Sequence, residues 1–264
     1  MITHTSWHFL DTGMGNAAWN MAVDEALLES FKENDMPIIR LYGWEKSLSL
    51  GRFSTFLENL HPENIRAKNI PCVRRMSGGG ILVHGGDLSY TLIMPRSWMR
   101  GAAVKENYRY VCEFLIALYQ KLGFEARFAC DLQLNEQRSN LCLAGIEPYD
   151  IVIEGKKMGG NAQRYTRDAV FQHGSIPMRI DEPFFKPLFL EESGLDKAAT
   201  LEKLGTFISY EDLSRLVRES FCETFNVELV TDFLTVSQMQ RATQLNADKY
   251  TQESWNVHGK STHS

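Results

Sequence analysis

The stretch VRRMSGGGILVHGGDLSYTLI, residues 73–93, decides how this chain is read. A short apolar strand (PCV) runs through Arg74, Arg75 and Ser77 into three successive glycines, Gly78, Gly79 and Gly80. Without a Cβ, such a loop turns tightly and brings its N–H groups against a ligand. Two arginines leading into it offer charge to a phosphate or a carbonyl oxygen. A strand pair, ILVHGGDLSYTLIMP, follows, with His84 set between the glycine loop and a second glycine pair. The plainer alternative is a glycine-rich hairpin beside solvated arginines, with His84 bonded to turn backbone. No GK[ST] follows the loop and its spacing is not GxGxxG, so neither nucleotide fingerprint is present.

Upstream, GNAAWNMAVDEALLESFKEN (15–34) places Trp19, Ala22, Val23, Ala26, Leu27 and Phe31 at helical spacing. PIIRLYGW and KSLSLGRF read as short strands, and NLHPENIRAKNI as a helix with Pro62 near its start. Downstream, residues 104–122 form an amphipathic pattern stopped by Gly123. FEARFACDL is strand-like, QLNEQRSN a polar loop, and residues 148–178 give strands around a turn at Glu154–Gly155. After Pro177, EPFFKPLFLEES, SYEDLSRLVRESFCETF and VSQMQRATQLNADKYTQESW are helical in pattern, and the tail from 256 to 264 is expected to be disordered. The expected fold class is α+β, a mixed sheet flanked by helices. The expected division is a main domain over residues 1–178 and a small helical C-terminal segment over 179–264 packed on it.

The chain has 264 residues, 44% hydrophobic and 23% charged, enough to bury a core unaided. Its 28 Lys+Arg against 33 Asp+Glu give a net charge of −5, which argues against a general polyanion binder but not against a local phosphate pocket. Five cysteines (Cys72, Cys112, Cys130, Cys142 and Cys222) are an odd number without a CxxC pair, so neither a disulfide framework nor a metal site is expected. The N-terminus lacks a secretory pattern, and no run approaches the ~20 apolar residues of a membrane span. A cytoplasmic protein without nucleic-acid or membrane partners is the expectation.

Two further segments carry chemistry. In GKKMGGNAQ (155–163) adjacent lysines on a strand face opposite ways, and Lys157 lies on the glycine side. Gly160, Asn161 and Ala162 then let the chain pass close to something bound; the alternative is a solvated lysine pair at a hairpin tip. Four cysteines sit in apolar contexts, but Cys142 follows the polar QRSNL and precedes Gly145 and Pro148. A loop thiol near a lysine or a helix N-terminus can be partly ionised and nucleophilic.

Together these segments resemble the lipoate–protein ligase and octanoyltransferase family, whose fold is shared with biotin protein ligases. NMAVDEALLE (20–29), IRLYGWEKSLSLGRF (39–53), residues 73–93, residues 149–178 and KYTQESWN (249–256) carry the resemblance through most of the chain. CLAGIEPYDIVIEGKK is most similar to the Cys-dependent octanoyltransferases and lipoyl amidotransferases of the Bacillus type, which pass the acyl group through a thioester. The resemblance implies Cys142 and Lys157 as catalytic residues, and Arg74, Arg75, Ser77, Gly78, Gly79, Gly80, His84, Gly160, Asn161 and Ala162 as the substrate site. It implies an acyl carrier protein or acylated H protein as donor, a lipoyl domain or glycine-cleavage H protein as acceptor, a monomer, and no cofactor for transfer. Leu82, Tyr42 and the neighbourhood of Val83 would line an apolar acyl slot, with Arg74, Arg75 and Lys156 as a basic docking rim. Within the same family the alternative is an ATP- and Mg²⁺-dependent lipoate–protein ligase forming lipoyl-adenylate, with an accessory domain on a separate chain; a non-catalytic lipoate binder is a third reading. Where ligases carry an Asn-Asp turn without a cysteine, this chain has Pro148-Tyr149-Asp150.

Overall fold

The computed structural model describes residues 5–99, 104–132, 145–191 and 193–259. In chain order the strands are β1 (Ser6–Gly15), β2 (Ile38–Trp44), β3 (Ser47–Leu50), β4 (Cys72–Arg74), β5 (Ile81–His84), β6 (Asp87–Pro95), β7 (Arg127–Phe128), β8 (Ile151–Ile153), β9 (Lys156–Lys157), β10 (Gly160–Tyr165), β11 (Ala169–Pro177) and β12 (Glu228–Thr231). The helices are α1 (Ala17–Ser30), α2 (Phe56–Asn59), α3 (Pro62–Ala67), α4 (Val104–Lys121), α5 (Glu182–Phe185), α6 (Tyr210–Phe225), α7 (Val236–Leu245) and α8 (Glu253–Asn256). Six strands form a mixed sheet in the order β10-β11-β6-β2-β1-β12, and two three-stranded sheets, β4-β3-β5 and β7-β8-β9, flank it. The α+β expectation holds.

Strand alternation sorts the central sheet into two faces. Ile39 and Leu41 of β2, Leu88, Tyr90 and Leu92 of β6, and Val170 and Ile176 of β11 pack in one core with Val111, Phe114, Leu115 and Leu118 of α4 and Leu213, Val217 and Phe221 of α6. The opposite face meets α1, and there apolar side chains give way to polar ones. Arg40 pairs across the ladder with Thr91, and Thr91 with His173; one step along, Tyr42 pairs with Ser89, and Ser89 with Ser175. Two polar rows thus cross three strands beneath a helix. This explains why α1, capped by the Asn16 side chain accepting from Trp19 N, buries Asn20 and Asp24 along with its apolar residues.

The chain after Pro177 differs from its all-helical expectation. β12 joins the main sheet parallel to β1. EPFFKPLFLEES gives only the one turn of α5 and a 3₁₀ turn, and the expected last helix is interrupted between α7 and α8. FEARFACDL likewise yields the two residues of β7 before a 3₁₀ turn. Nor are the first tail residues loose. Asn256 is buried, the carbonyls of Asn256 and Val257 bond Arg74, and that of Gly259 bonds Arg52. Lys249 Nζ and Tyr250 Oη bond Glu25 at 2.7 Å each, so α1 is held by the sheet through Asp24 and by the C-terminal helices through the next residue. Among the described residues no helix is long and apolar enough to cross a membrane, and no cluster of metal-ligating side chains occurs.

Candidate functional site

Each polar row is governed by one buried carboxylate. Asp24 Oδ1 accepts from Arg40 Nη1 at 2.6 Å and Thr91 Oγ1 at 2.8 Å; its Oδ2 accepts from Tyr42 Oη at 3.1 Å and stands 3.6 Å from His173 Nδ1. Asp87 Oδ2 accepts from Ser175 Oγ at 2.8 Å and Ser89 Oγ at 3.2 Å, and meets His84 Nδ1 at 2.8 Å. Burial pushes both carboxyls up, yet cationic and hydroxyl donors outweigh it and hold both below the usual carboxylate range. Ions buried this deeply carry a desolvation cost of several kcal/mol each, which only a full set of partners offsets. Trp44 stacks on His84 with centroids 4.0 Å apart and donates its indole N–H to Ser89.

The glycine loop is tied back by its carbonyls. Arg75 Nη2 donates to Gly78 O and Gly80 O, Gly51 N to Gly80 O, Ser54 Oγ to Gly79 O, and Arg52 N to Ser77 O. In a trans peptide the N–H points opposite the C=O, so the following N–H groups are aimed away from these anchors. Gly79 has φ +94°, and Gly51 approaches so closely that an added Cβ would stand 1.8 Å from Gly79 O. Between loop and polar rows lies a cavity of about 20 Å³, lined by Tyr42, Trp44, Ser49, Arg75, Gly79, Leu82, His84, Gly160, Asn161, Ala162 and His173 among others. A larger cavity, about 300 Å³, lies behind His84, with the Lys46–Asp181 ion pair, Arg179 and Glu202 in its wall.

Of the twelve residues expected from sequence, Arg75, Gly79, His84, Gly160, Asn161 and Ala162 line the small cavity, and Ser77 reaches it through His173, at 2.6 Å from Nε2. Gly78 and Gly80 belong to the same loop through Arg75. Lys157 is buried while Lys156 is exposed, as strand alternation predicts, and its Nζ meets Asp150 Oδ2 at 2.6 Å. Burial raises the Asp150 carboxyl above its ordinary value even though Lys157 and the Glu147 N–H favour its charge. Lys157 is not in the cavity wall, and Cys142 lies outside the described residues.

Two expectations are corrected. Arg74 is 2% exposed and faces away from the cavity into a cage of carbonyls, those of Gly51, Arg52, Ser54, Trp255, Asn256 and Val257. With Arg75 also buried, at 3%, the arginine pair forms no basic docking rim. His84 bonds side chains rather than turn backbone. Val83 lines the larger cavity, whereas Tyr42 and Leu82 line the smaller. Sequence reading missed Asp24, Arg40, Asp87, Asp150 and His173 as site groups. Polar residues inside otherwise apolar strands and inside the first helix were the available signal.

A mixed sheet with its polar face closed by a helix, a glycine loop and a lysine hairpin is the fold of the lipoate-protein ligases. The chain belongs to the lipoyl protein ligase A/B catalytic domain family, whose model matches residues 16–222. It is 34% identical to the octanoyltransferase LipM of Kyrpidia tusciae over 271 residues, covering 95% of this chain and 98% of that protein. It is 30% identical to the octanoyltransferase LipM of Bacillus subtilis, again over 95% of this chain and 98% of the relative. A crystal structure of lipoate-protein ligase A bound with ATP has a TM-score of 0.84 at 24% identity, covering 97% of this chain and 100% of that one; this likeness speaks for the fold.

Proposed function

We propose that the protein is an octanoyltransferase of protein lipoylation, moving an acyl group from a thioester donor such as octanoyl-acyl carrier protein to a lysine of a lipoyl domain or H protein. The observation that carries this reading is near full-length similarity to octanoyltransferases in a chain that keeps Cys142 fifteen residues before the buried Lys157. Cys142 thiolate attacks the donor carbonyl, the carrier thiol leaves, and the enzyme thioester is then attacked by the acceptor amine. Lys157 and the outward N–H groups of the Gly78–Gly80 loop stabilise the developing oxyanion. Arg75 holds that loop in shape, while Ser77, His84, Gly160, Asn161 and Ala162 complete the substrate site. A thioester is already activated, so transfer needs no nucleotide. The small cavity admits about one water, and the acyl tail therefore enters by displacing wall side chains such as Leu82, gaining ~0.8 kcal/mol per buried CH₂.

The test is mass spectrometry after incubation with octanoyl-acyl carrier protein. The expected result is an octanoyl adduct on Cys142 that Cys142→Ser abolishes. Lipoylation that requires ATP and survives Cys142→Ser would overturn the transferase reading in favour of the ligase.

A further inference from the structure

The two histidines of the cavity wall differ in one respect. His84 Nδ1 meets Asp87 Oδ2 at 2.8 Å and its Nε2 meets Ser49 Oγ at 2.7 Å. A carboxylate only accepts, so Nδ1 carries the hydrogen and Nε2 receives the Ser49 proton. Ser49 Oγ in turn accepts from Arg75 Nη1 at 2.8 Å. That relay is occupied from end to end. His173 stands in a similar order, with the Asp24 carboxylate 3.6 Å from Nδ1, a charge contact that favours the hydrogen on that nitrogen, and Ser77 Oγ 2.6 Å from Nε2; in that tautomer Ser77 is the donor. Here, though, no hydrogen bond to the Ser77 oxygen is donated among the described residues. The buried hydroxyl ends a Ser–His–Asp line, on the loop that also presents Gly79 to the cavity.

We propose that His173, reached through the Ser77 hydroxyl, takes the proton from the ε-ammonium of the acceptor lysine, with Asp24 as the positioning residue. The proposal rests on the acyl-transfer reading. At pH 7 only roughly one lysine amine in 2,500 is neutral, so aminolysis of a thioester needs a base. The groups facing His173 are Asp24 from α1, with Arg40 of β2 behind it, Arg75 from the glycine loop and His84 of β5. Burial, together with Arg75, outweighs Asp24 and holds the imidazole below its usual range, neutral at pH 7 and able to accept. In the step, an ammonium proton passes to Ser77 Oγ as the Ser77 proton passes to His173 Nε2, and from there to solvent. The freed amine forms the C–N bond, the C–S bond breaks with its electron pair on sulfur, and the second amine proton goes to the leaving thiolate.

The two half-reactions separate this role from a merely structural one. The acyl-enzymes of the wild type, His173→Gln and Ser77→Ala are first formed with excess octanoyl-acyl carrier protein and isolated, so that the second half-reaction is timed by itself. Transfer from that intermediate to a lipoyl domain should fall by about 10²–10⁴-fold. In the variants the residual transfer rate should rise about tenfold per pH unit as solvent takes over deprotonation. Hydroxylamine, whose amine is already neutral at pH 7, should discharge wild-type and variant acyl-enzymes at similar rates. Equal losses toward lysine and hydroxylamine, or an unchanged pH dependence, would overturn the proposal. If His173→Gln does not fold, Ser77→Ala decides on the same readouts, since the hydroxyl carries no structural bond besides the relay. Failure of the wild type to form any acyl-enzyme would instead overturn the transferase reading, and this inference with it.

Discussion

Arg74→Met offers a direct measure of how the C-terminal segment is held. Arg74 sends Nη1 to the carbonyls of Gly51, Arg52 and Ser54 at 3.1, 3.2 and 2.7 Å, and Nε and Nη2 to those of Trp255, Asn256 and Val257 at 3.0 Å each. Among the described residues no carboxylate pairs with it, and carbonyl dipoles hold the guanidinium. Hydrogen bonds to a charged group are worth about 1.5–3 kcal/mol each, but six such values would exceed the whole stability of an ordinary domain. Two things cut the sum. Desolvation of the guanidinium already lowers the Arg74 pKa, and the main chain keeps its own tethers, Asn256 Oδ1 to Arg74 N and Trp255 Nε1 to Arg74 O, both at 2.9 Å. Methionine matches the volume and removes every donor, so the loss expected is that of breaking a buried charged network, about 3–5 kcal/mol. In a chain of this size that lowers the melting temperature by roughly 6–20 °C. Circular dichroism gives the midpoint, and hydrogen exchange should show the amides of 255–259 and 51–54 losing protection together. A variant that melts like the wild type with both segments still protected, yet binds acyl donor poorly, would refute this account and restore Arg74 to the substrate site.

Two other outcomes follow from the site. The His173 pKa is depressed, so the unfolded chain takes up a proton below about pH 6.5 that the folded chain refuses; stability is full above that pH and falls as pH drops toward the folded value, by at most about 1.4 kcal/mol per unit. Asp24 and Asp87, both lowered, are still fully stabilising at pH 5, because their window lies below the ordinary carboxylate range. Guanidinium unfolding at pH 7 and pH 5 should therefore show a decrease that His173→Gln reduces; an equal decrease in the variant would assign it elsewhere. Gly51→Ala puts a Cβ against the Gly79 carbonyl and must displace the glycine loop, so donor turnover should collapse while the far core, reported by Trp7 and Trp98 fluorescence, is retained. Wild-type turnover in Gly51→Ala would show that the loop position does not matter.

The elements with strong patterns were legible. α1, α4 and α6 follow from apolar spacing, and the hairpin at Glu154–Gly155 from its two-residue turn, where both residues take positive φ. The glycine loop and the inward Lys157 were visible because few structures require those residues in that order. What escaped depends on long-range pairing. β12 is four residues, mostly exposed, and becomes a strand only because β1 offers an open edge. The Asp24 and Asp87 networks join residues up to 88 positions apart, and nothing local marks which buried aspartate will meet which histidine. Arg74 and Arg75 are adjacent and chemically alike, yet one supports the loop from behind and the other forms the cavity wall. One register step decides between them, and sequence adjacency hides it.

The Arg74 cage also sets a timetable. Asn256 lies 182 residues after the arginine it holds, so at 5–20 residues per second a growing chain waits roughly 10–35 s before the last carbonyls can arrive. During that interval the guanidinium has only the carbonyls of the 51–54 loop, and the glycine loop beside it lacks its final support. A chain released early, or clipped before Trp255, would carry every residue of the cavity wall and still present an unfinished one. Completion of the site thereby waits on the arrival of residues 255–259.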